Sequence, residues 1–107
     1  MTARPADDPI LQRFKAALDE IYGDQNDRVI LFGSRARGDA RDGSDYDVAV
    51  FLKSLPEHRK EIKRLADLRV NFLDDTGACF DTKPYPIASY RDRTPLMHEI
   101  RRDGLDL

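Results

Sequence analysis

Apolar residues fall at Ile10, Leu11, Phe14, Leu18, Ile21 and Tyr22, a spacing that lays one stripe along a helix beginning at Pro9. Gly23 and the polar GDQND segment end it. Arg28–Phe32 is a short β-branched and aromatic run, which predicts a strand. Gly33 stops that strand, and Ser34 is placed to cap a short helix through Arg37 with Gly38 as its exit. Asp39–Ser44 reads as a polar turn. From Asp45 to Lys53 the alternation returns, with Asp45, Asp47, Ala49 and Phe51 on one face and Tyr46, Val48, Val50 and Leu52 on the other. Residues 56–73 predict a charged helix with Ile62, Leu65, Ala66, Phe72 and Leu73 inward, ended by Gly77. A third strand is expected over Ala78–Lys83, before Pro84 and Pro86 interrupt the chain. A last helix is expected from Thr94 to Asp103, burying Leu96, Met97 and Ile100. Residues 1–8 read as a loose tail. The order α-β-(α)-β-α-β-α predicts an α/β or α+β fold with a small sheet.

Composition narrows the class. The 107 residues fit one domain spanning 1–107. Hydrophobic residues at 40% and charged residues at 36% suit a folded core under a charged exterior rather than a disordered chain. Eighteen Lys and Arg against 20 Asp and Glu give a formal net charge of -2, so no overall basic footprint for nucleic acid exists, although a local basic patch is compatible with that balance. Direct nucleic-acid binding is not expected. No apolar run approaches the roughly 18 residues of a membrane span, and the N-terminus lacks signal-peptide features, so a cytoplasmic protein with no membrane association is expected. The single Cys79 excludes an internal disulfide and a cysteine-rich zinc site; although alternation puts it on the face of Asp81, it reads as a small core filler rather than a redox group.

The candidate chemistry lies between Gly33 and Asp47. Two carboxylates at i and i+2 of a strand point the same way, roughly 6–7 Å apart. Asp45 and Asp47 repel each other there, and the apolar Ala49 and Phe51 offer no relief. A hard divalent cation resolves the conflict, because Mg²⁺ prefers oxygen ligands and commonly combines one or two carboxylates with substrate phosphates. Asp81 adds a candidate third carboxylate from a strand able to lie alongside. Three converging carboxylates suit two cations about 3.5–4 Å apart. Gly33–Ser34, at a strand-to-helix turn, exposes backbone N–H groups that favour phosphate. Arg35 and Arg37 follow directly and can add charge-assisted hydrogen bonds; a plain solvated face is the other reading for this pair. Lys83 shares the Asp81 face. Phosphate donors beside metal-binding carboxylates are what phosphoryl or nucleotidyl transfer requires.

The acidic turn from Asp39 lacks the residue order of a calcium loop, with Val50 at its twelfth position. No Gly-Lys-[Ser/Thr] follows Gly33, so a Walker-type loop is excluded. Neither His58 nor His98 sits in a triad context for Ser34.

GSRARGDARDGSDYD, with Gly33-Ser34, ten intervening residues and Asp45-x-Asp47, resembles the GS-x10-D-x-D signature of the DNA polymerase beta-like nucleotidyltransferases. With the preceding VILFGSRARG, the SDYDVAV strand and the ending HEIRRDGLDL, the chain resembles the minimal nucleotidyltransferases (MNT), small proteins often paired with HEPN toxins. The resemblance covers most of the chain. It implies a mixed sheet flanked by helices, two Mg²⁺ ions, and ATP as donor. It implies nucleotide binding at Gly33 and Ser34, and metal binding and catalysis at Asp45, Asp47 and Asp81, although Thr82-Lys83-Pro84 replaces the apolar residues that follow the third carboxylate in many relatives. It further implies an antitoxin that moves AMP from ATP onto a tyrosine of a HEPN-type toxin. A second class of function is a non-catalytic antitoxin that neutralises by occlusion, through an apolar surface at Tyr85, Pro86, Ile87 and Tyr90. Transfer to a small molecule such as an aminoglycoside is a third reading, for which the substrate domain of such enzymes is missing from these residues.

Overall fold

The computed structural model describes residues 7–41 and 43–107. Helix α1 (Pro9–Tyr22) begins where Asp8 accepts hydrogen bonds from the backbone N–H groups of Ile10 and Leu11, at 2.9 and 3.3 Å, with Pro9 in the first turn. Asp8 is thus part of the fold, not of a loose tail. Of the rest of the expected tail, Asp7 is described and exposed, and residues 1–6 lie outside the described residues. The Tyr46 hydroxyl donates to the other Asp8 carboxylate oxygen at 2.5 Å, which fastens the start of α1 to the sheet.

Strands β1 (Asn26–Phe32), β2 (Tyr46–Leu52), β3 (Phe80–Pro86) and β4 (Leu105–Asp106) form one mixed sheet in the order β3-β2-β1-β4. β1 runs antiparallel to β2 and to β4; β2 and β3 are parallel. A parallel pair needs a long crossover, and helix α3 (His58–Thr76) supplies it. The strand alternation sorts side chains between two cores. On one face Val29, Leu31, Tyr46, Val48, Val50, Leu52 and Phe80 meet Leu11, Phe14 and Leu18 of α1 and Leu65 and Phe72 of α3. There the Phe14 and Phe80 rings stack with centroids 3.8 Å apart. On the other face Ile30, Ala49 and Phe51 meet Met97 and Ile100 of helix α4 (Pro95–Asp103).

Several expectations are corrected. β3 continues through Pro84 and Pro86 instead of stopping before them. It is an edge strand, where a missing N–H costs no ladder bond on the open side. Ile62 and Leu73 of α3 are exposed, at 45% and 46%. Only the Leu65–Phe72 side of α3 reaches the sheet, and the helix lies over the sheet edge, so its apolar stripe is wider than the core it covers. Leu96 of α4 is also exposed, and Cys79 is exposed ahead of β3. Tyr85, Ile87 and Tyr90 do not form a free apolar surface. They pack against the second core, with Tyr90 edge-on to Phe51 at 5.5 Å and the Arg28 guanidinium 4.2 Å above its ring. β4 is an element that periodicity did not predict. It pairs Leu105 and Asp106 with Leu31 and Ile30, and Arg28 holds Asp106 through two hydrogen bonds of 3.1 and 2.9 Å. Gly104 makes this possible, since a Cβ there would collide with the Ile100 carbonyl and the Ile30 side chain. No helix among the described residues is long and apolar enough to cross a membrane.

Candidate active site

β1 ends at Phe32, and the chain turns through Gly33 into the single-turn helix α2 (Ser34–Arg37). Gly33, at φ 76°, is itself the N-terminal cap. Ser34 therefore sits one position inside the helix and does not cap it, and its hydroxyl makes no hydrogen bond among the described residues. The first N–H groups of a helix have no partner within it, so this turn presents amide donors together with an uncommitted hydroxyl. Ala36 and Arg37 N–H groups close the turn on the Gly33 carbonyl at 3.1 Å each.

Gly33 has a second reason to be glycine. An added Cβ would collide with Oδ2 of Asp47, so the turn lies directly against that carboxylate. In the ladders Asp47 stands opposite Phe32 of β1 and, on the other side, opposite Asp81 of β3. Asp45 directly precedes β2 and is exposed. Phe32, Gly33, Asp47, Asp81, Lys83, Tyr85, Leu96 and Glu99 thus border one cleft of about 160 Å³. Burial pushes the Asp47 carboxyl above the ordinary carboxylate range, and the charges of Asp81, Asp45 and Glu99 push it further; Arg37 opposes them. That crowding of negative charge is what a cation would relieve. Among the described residues, however, no three of His, Cys, Asp and Glu stand close enough to hold a metal ion. Asp47 and its ladder neighbour Asp81 are adjacent, and Asp45 is one strand repeat away, rather than closed into a cage. Mg²⁺ often takes only one or two carboxylates with the remaining ligands from phosphates and water, so this donor set fits a metal that arrives with its nucleotide.

The two arginines after Ser34 differ in placement. Arg35 turns back: its Nε and Nη2 donate to the Ser44 carbonyl at 2.9 and 2.7 Å, and its guanidinium lies 3.9 Å over the Tyr46 ring. It ties the loop between α2 and β2 to the base of β2. Arg37 reaches across to α4 and donates to Glu99 at 3.1 Å, with Asp39 as a second partner at 3.3 Å. Asp42, within the polar turn, lies outside the described residues. Glu99 is the cleft residue that the sequence reading missed. Helical spacing places it with Leu96 beside the buried Met97 and Ile100, but no pattern in the sequence says that this flank meets Asp47.

A family model described as a nucleotidyltransferase domain matches residues 11–97. Two candidate protein adenylyltransferases of Methanocaldococcus jannaschii are 44% identical over 54 residues and 40% identical over 65 residues. These alignments cover 50% and 60% of this chain, and 54% and 44% of those proteins, so the chain spans about half the length of the curated relatives it matches. A toxin–antitoxin crystal structure with AMP-PNP superposes with a TM-score of 0.63 at 19% identity, over 89% of this chain and 70% of that one. A candidate nucleotidyltransferase from Sulfolobus solfataricus gives 0.51 at 17% identity, over 91% and 75%. At such identities the likeness establishes the fold. Because the family model runs from α1 through β1, the Gly33 turn, β2 and β3 and into α4, the chain belongs to the nucleotidyltransferase domain family.

Proposed function

We propose that this domain transfers AMP from ATP to a tyrosine of a partner toxin of HEPN type and thereby acts as an antitoxin. The observation that carries the reading is the abutment of the Gly33 turn on Asp47, with Asp81 next to it in the ladder. Phosphate donors and cation ligands then meet in one cleft. The names of the Methanocaldococcus jannaschii relatives and the AMP-PNP of the toxin–antitoxin neighbour support the choice of adenylyl transfer and of a protein acceptor. In this reading the Ser34 hydroxyl and the amides of the turn orient the triphosphate, while Asp45, Asp47 and Asp81 hold Mg²⁺. Bound Mg²⁺ would neutralise charge on the phosphates and on the departing oxygen. The tyrosine oxygen forms a bond to the α-phosphorus, the bond from that phosphorus to the bridging oxygen breaks, and pyrophosphate leaves. The phenolic proton passes to solvent water, or to a carboxylate of the cleft and from there to solvent. Glu99, which borders the cleft, is held in an ion pair by Arg37.

The test uses α-labelled ATP, Mg²⁺ and a candidate HEPN-type toxin as acceptor, with mass spectrometry of the modified residue. Transfer of AMP to tyrosine is expected, with Asp47→Asn slower by on the order of 10³-fold, since metal charge stabilisation is worth several kcal/mol. If no label moves, and Asp45→Asn and Asp47→Asn still neutralise the toxin as wild type does, neutralisation is by occlusion and the proposal fails.

A further inference from the structure

The chain's net charge of -2 conceals a local concentration of positive charge. A second, open cleft of about 620 Å³ is lined by Arg91, Arg93, Thr94, Pro95, His98 and Arg101. Among the described residues no carboxylate lines it. Arg101 is fixed by its contacts: Nη1 donates to the carbonyls of Tyr90 and Asp92 at 2.5 and 2.9 Å, and Nη2 lies 3.1 Å from Nδ1 of His98. Arg91 and Arg93 are exposed and make no hydrogen bond or ion pair among the described residues. Asp92, between them in sequence, lines no part of the cleft, and its carboxylate pairs with neither. The protein thus keeps two guanidinium forks free beside a third that is fixed in place.

This cleft and the Asp47 cleft lie on opposite flanks of one helix. Leu96 and Glu99 of α4 border the Asp47 cleft, whereas Pro95, His98 and Arg101 border the basic one. Met97 and Ile100, between these flanks, are buried against the sheet. A helix is about 10–12 Å across with its side chains, and an extended chain advances about 3.3 Å per residue. A segment passing over the exposed side of α4 follows about half its circumference, roughly 16–19 Å, so about five residues lead from one cleft to the other.

We propose that the basic cleft holds an acidic segment of the protein acceptor, about five residues from the tyrosine that enters the Asp47 cleft. Arginine forks match carboxylates bidentately, and the two free forks of Arg91 and Arg93, beside the charge of Arg101, suit two Asp or Glu side chains. A nucleic acid fits less well. The cleft lacks an aromatic platform on which a base could stack, since Tyr90 is turned onto Phe51 beneath Arg28. The inference rests on the proposed transfer to a protein, but its site is separate from the Gly33–Asp47 machinery and can be tested apart from it.

The experiment is an amide-resolved NMR titration of the whole chain with amidated hexaglutamate, and in parallel with a thymidylate hexanucleotide, at 50 and 300 mM NaCl. Hexaglutamate is expected to shift amides of residues 91–101, with at least tenfold weaker binding in Arg91→Glu/Arg93→Glu and marked weakening at the higher salt. Both residues are exposed, so the double variant should keep the wild-type spectrum elsewhere. A hexanucleotide that binds the same residues more tightly than hexaglutamate overturns the proposal in favour of nucleic acid. Shifts outside residues 91–101, or equal in the double variant, overturn it as well. Mg²⁺ with a non-hydrolysable ATP analogue, added separately, reports on Gly33, Ser34 and Asp47; its failure to shift them counts against the transfer reading while leaving the basic cleft's own result readable.

Discussion

Gly33 carries two constraints at one Cα. Its positive φ disfavours any residue with a Cβ, and the space that a Cβ would fill belongs to Asp47. Gly33→Ala should therefore cost about 1–3 kcal/mol of stability through backbone strain, and should also push the turn away from the carboxylate. The expected result is a lowered melting temperature together with loss of the stabilisation that Mg²⁺ and ATP confer on wild type. A variant that melts early but keeps the full ligand-induced shift would show that the turn does not position phosphate. Tyr46 illustrates the opposite case, a polar group used structurally. Burial and its hydrogen bond to Asp8 push its hydroxyl up to about 12, so it remains a donor across the physiological range. This pairing is not visible as a motif, because Asp8 and Tyr46 meet only when α1 lies across the start of β2.

At the scale of elements, α3 separates two ways of reading an amphipathic helix. Apolar residues at Ile62, Leu65, Ala66, Val70, Phe72 and Leu73 form a broad stripe, yet the sheet accepts only part of it. Leu65 is fully buried, whereas Val70 is 55% exposed. Leu65→Ala should destabilise by about 2–5 kcal/mol. Val70→Lys should stay within about 0.5 kcal/mol of wild type, as surface substitutions usually do. Chemical denaturation of the two variants checks this, and a large loss for Val70→Lys would mean that α3 packs more fully than described. β3 makes the complementary point. Its prolines look like breakers in sequence, but at a sheet edge they leave the ladder to β2 intact and keep further strands from adding to it.

For the whole molecule, the site has a cost that should appear in its pH dependence. The folded state raises the Asp47 carboxyl above its unfolded value, so folding favours the protonated form. The contribution to stability is then best at low pH and is lost as pH rises from the ordinary carboxylate value through the raised one. Above that window the charged carboxylate is a standing penalty in the ligand-free protein. Asp47→Asn removes the penalty: at neutral pH it should melt a few degrees higher than wild type without ligand, and the advantage should shrink on acidification through the window. Mg²⁺ with a nucleotide should raise the wild-type melting temperature and leave Asp47→Asn nearly unchanged. Equal melting temperatures for the two proteins at every pH would show that Asp47 is not under electrostatic strain. Such a balance is common where function sets charges together that folding alone would separate.

Local pattern sufficed for much of this protein. The helices around Phe14, Leu65 and Ile100 were legible from their spacing, and the strands around Leu31 and Val50 from alternation and side-chain type, because both signals depend only on near neighbours in the chain. The strand–Gly-Ser–Asp-x-Asp pattern was legible for the same reason: Gly33, Asp45 and Asp47 belong to one turn and the strands that flank it. Tertiary structure alone decided what meets what. It set Asp81 beside Asp47 through the parallel pairing of β3, brought Glu99 to the cleft and Arg37 to Glu99, added β4 through Gly104, and left Ile62, Leu73, Leu96 and Cys79 in solvent. Periodicity names the face of an element but not the surface it will cover, and these contacts join residues far apart in the chain whose meeting depends on the order of the strands.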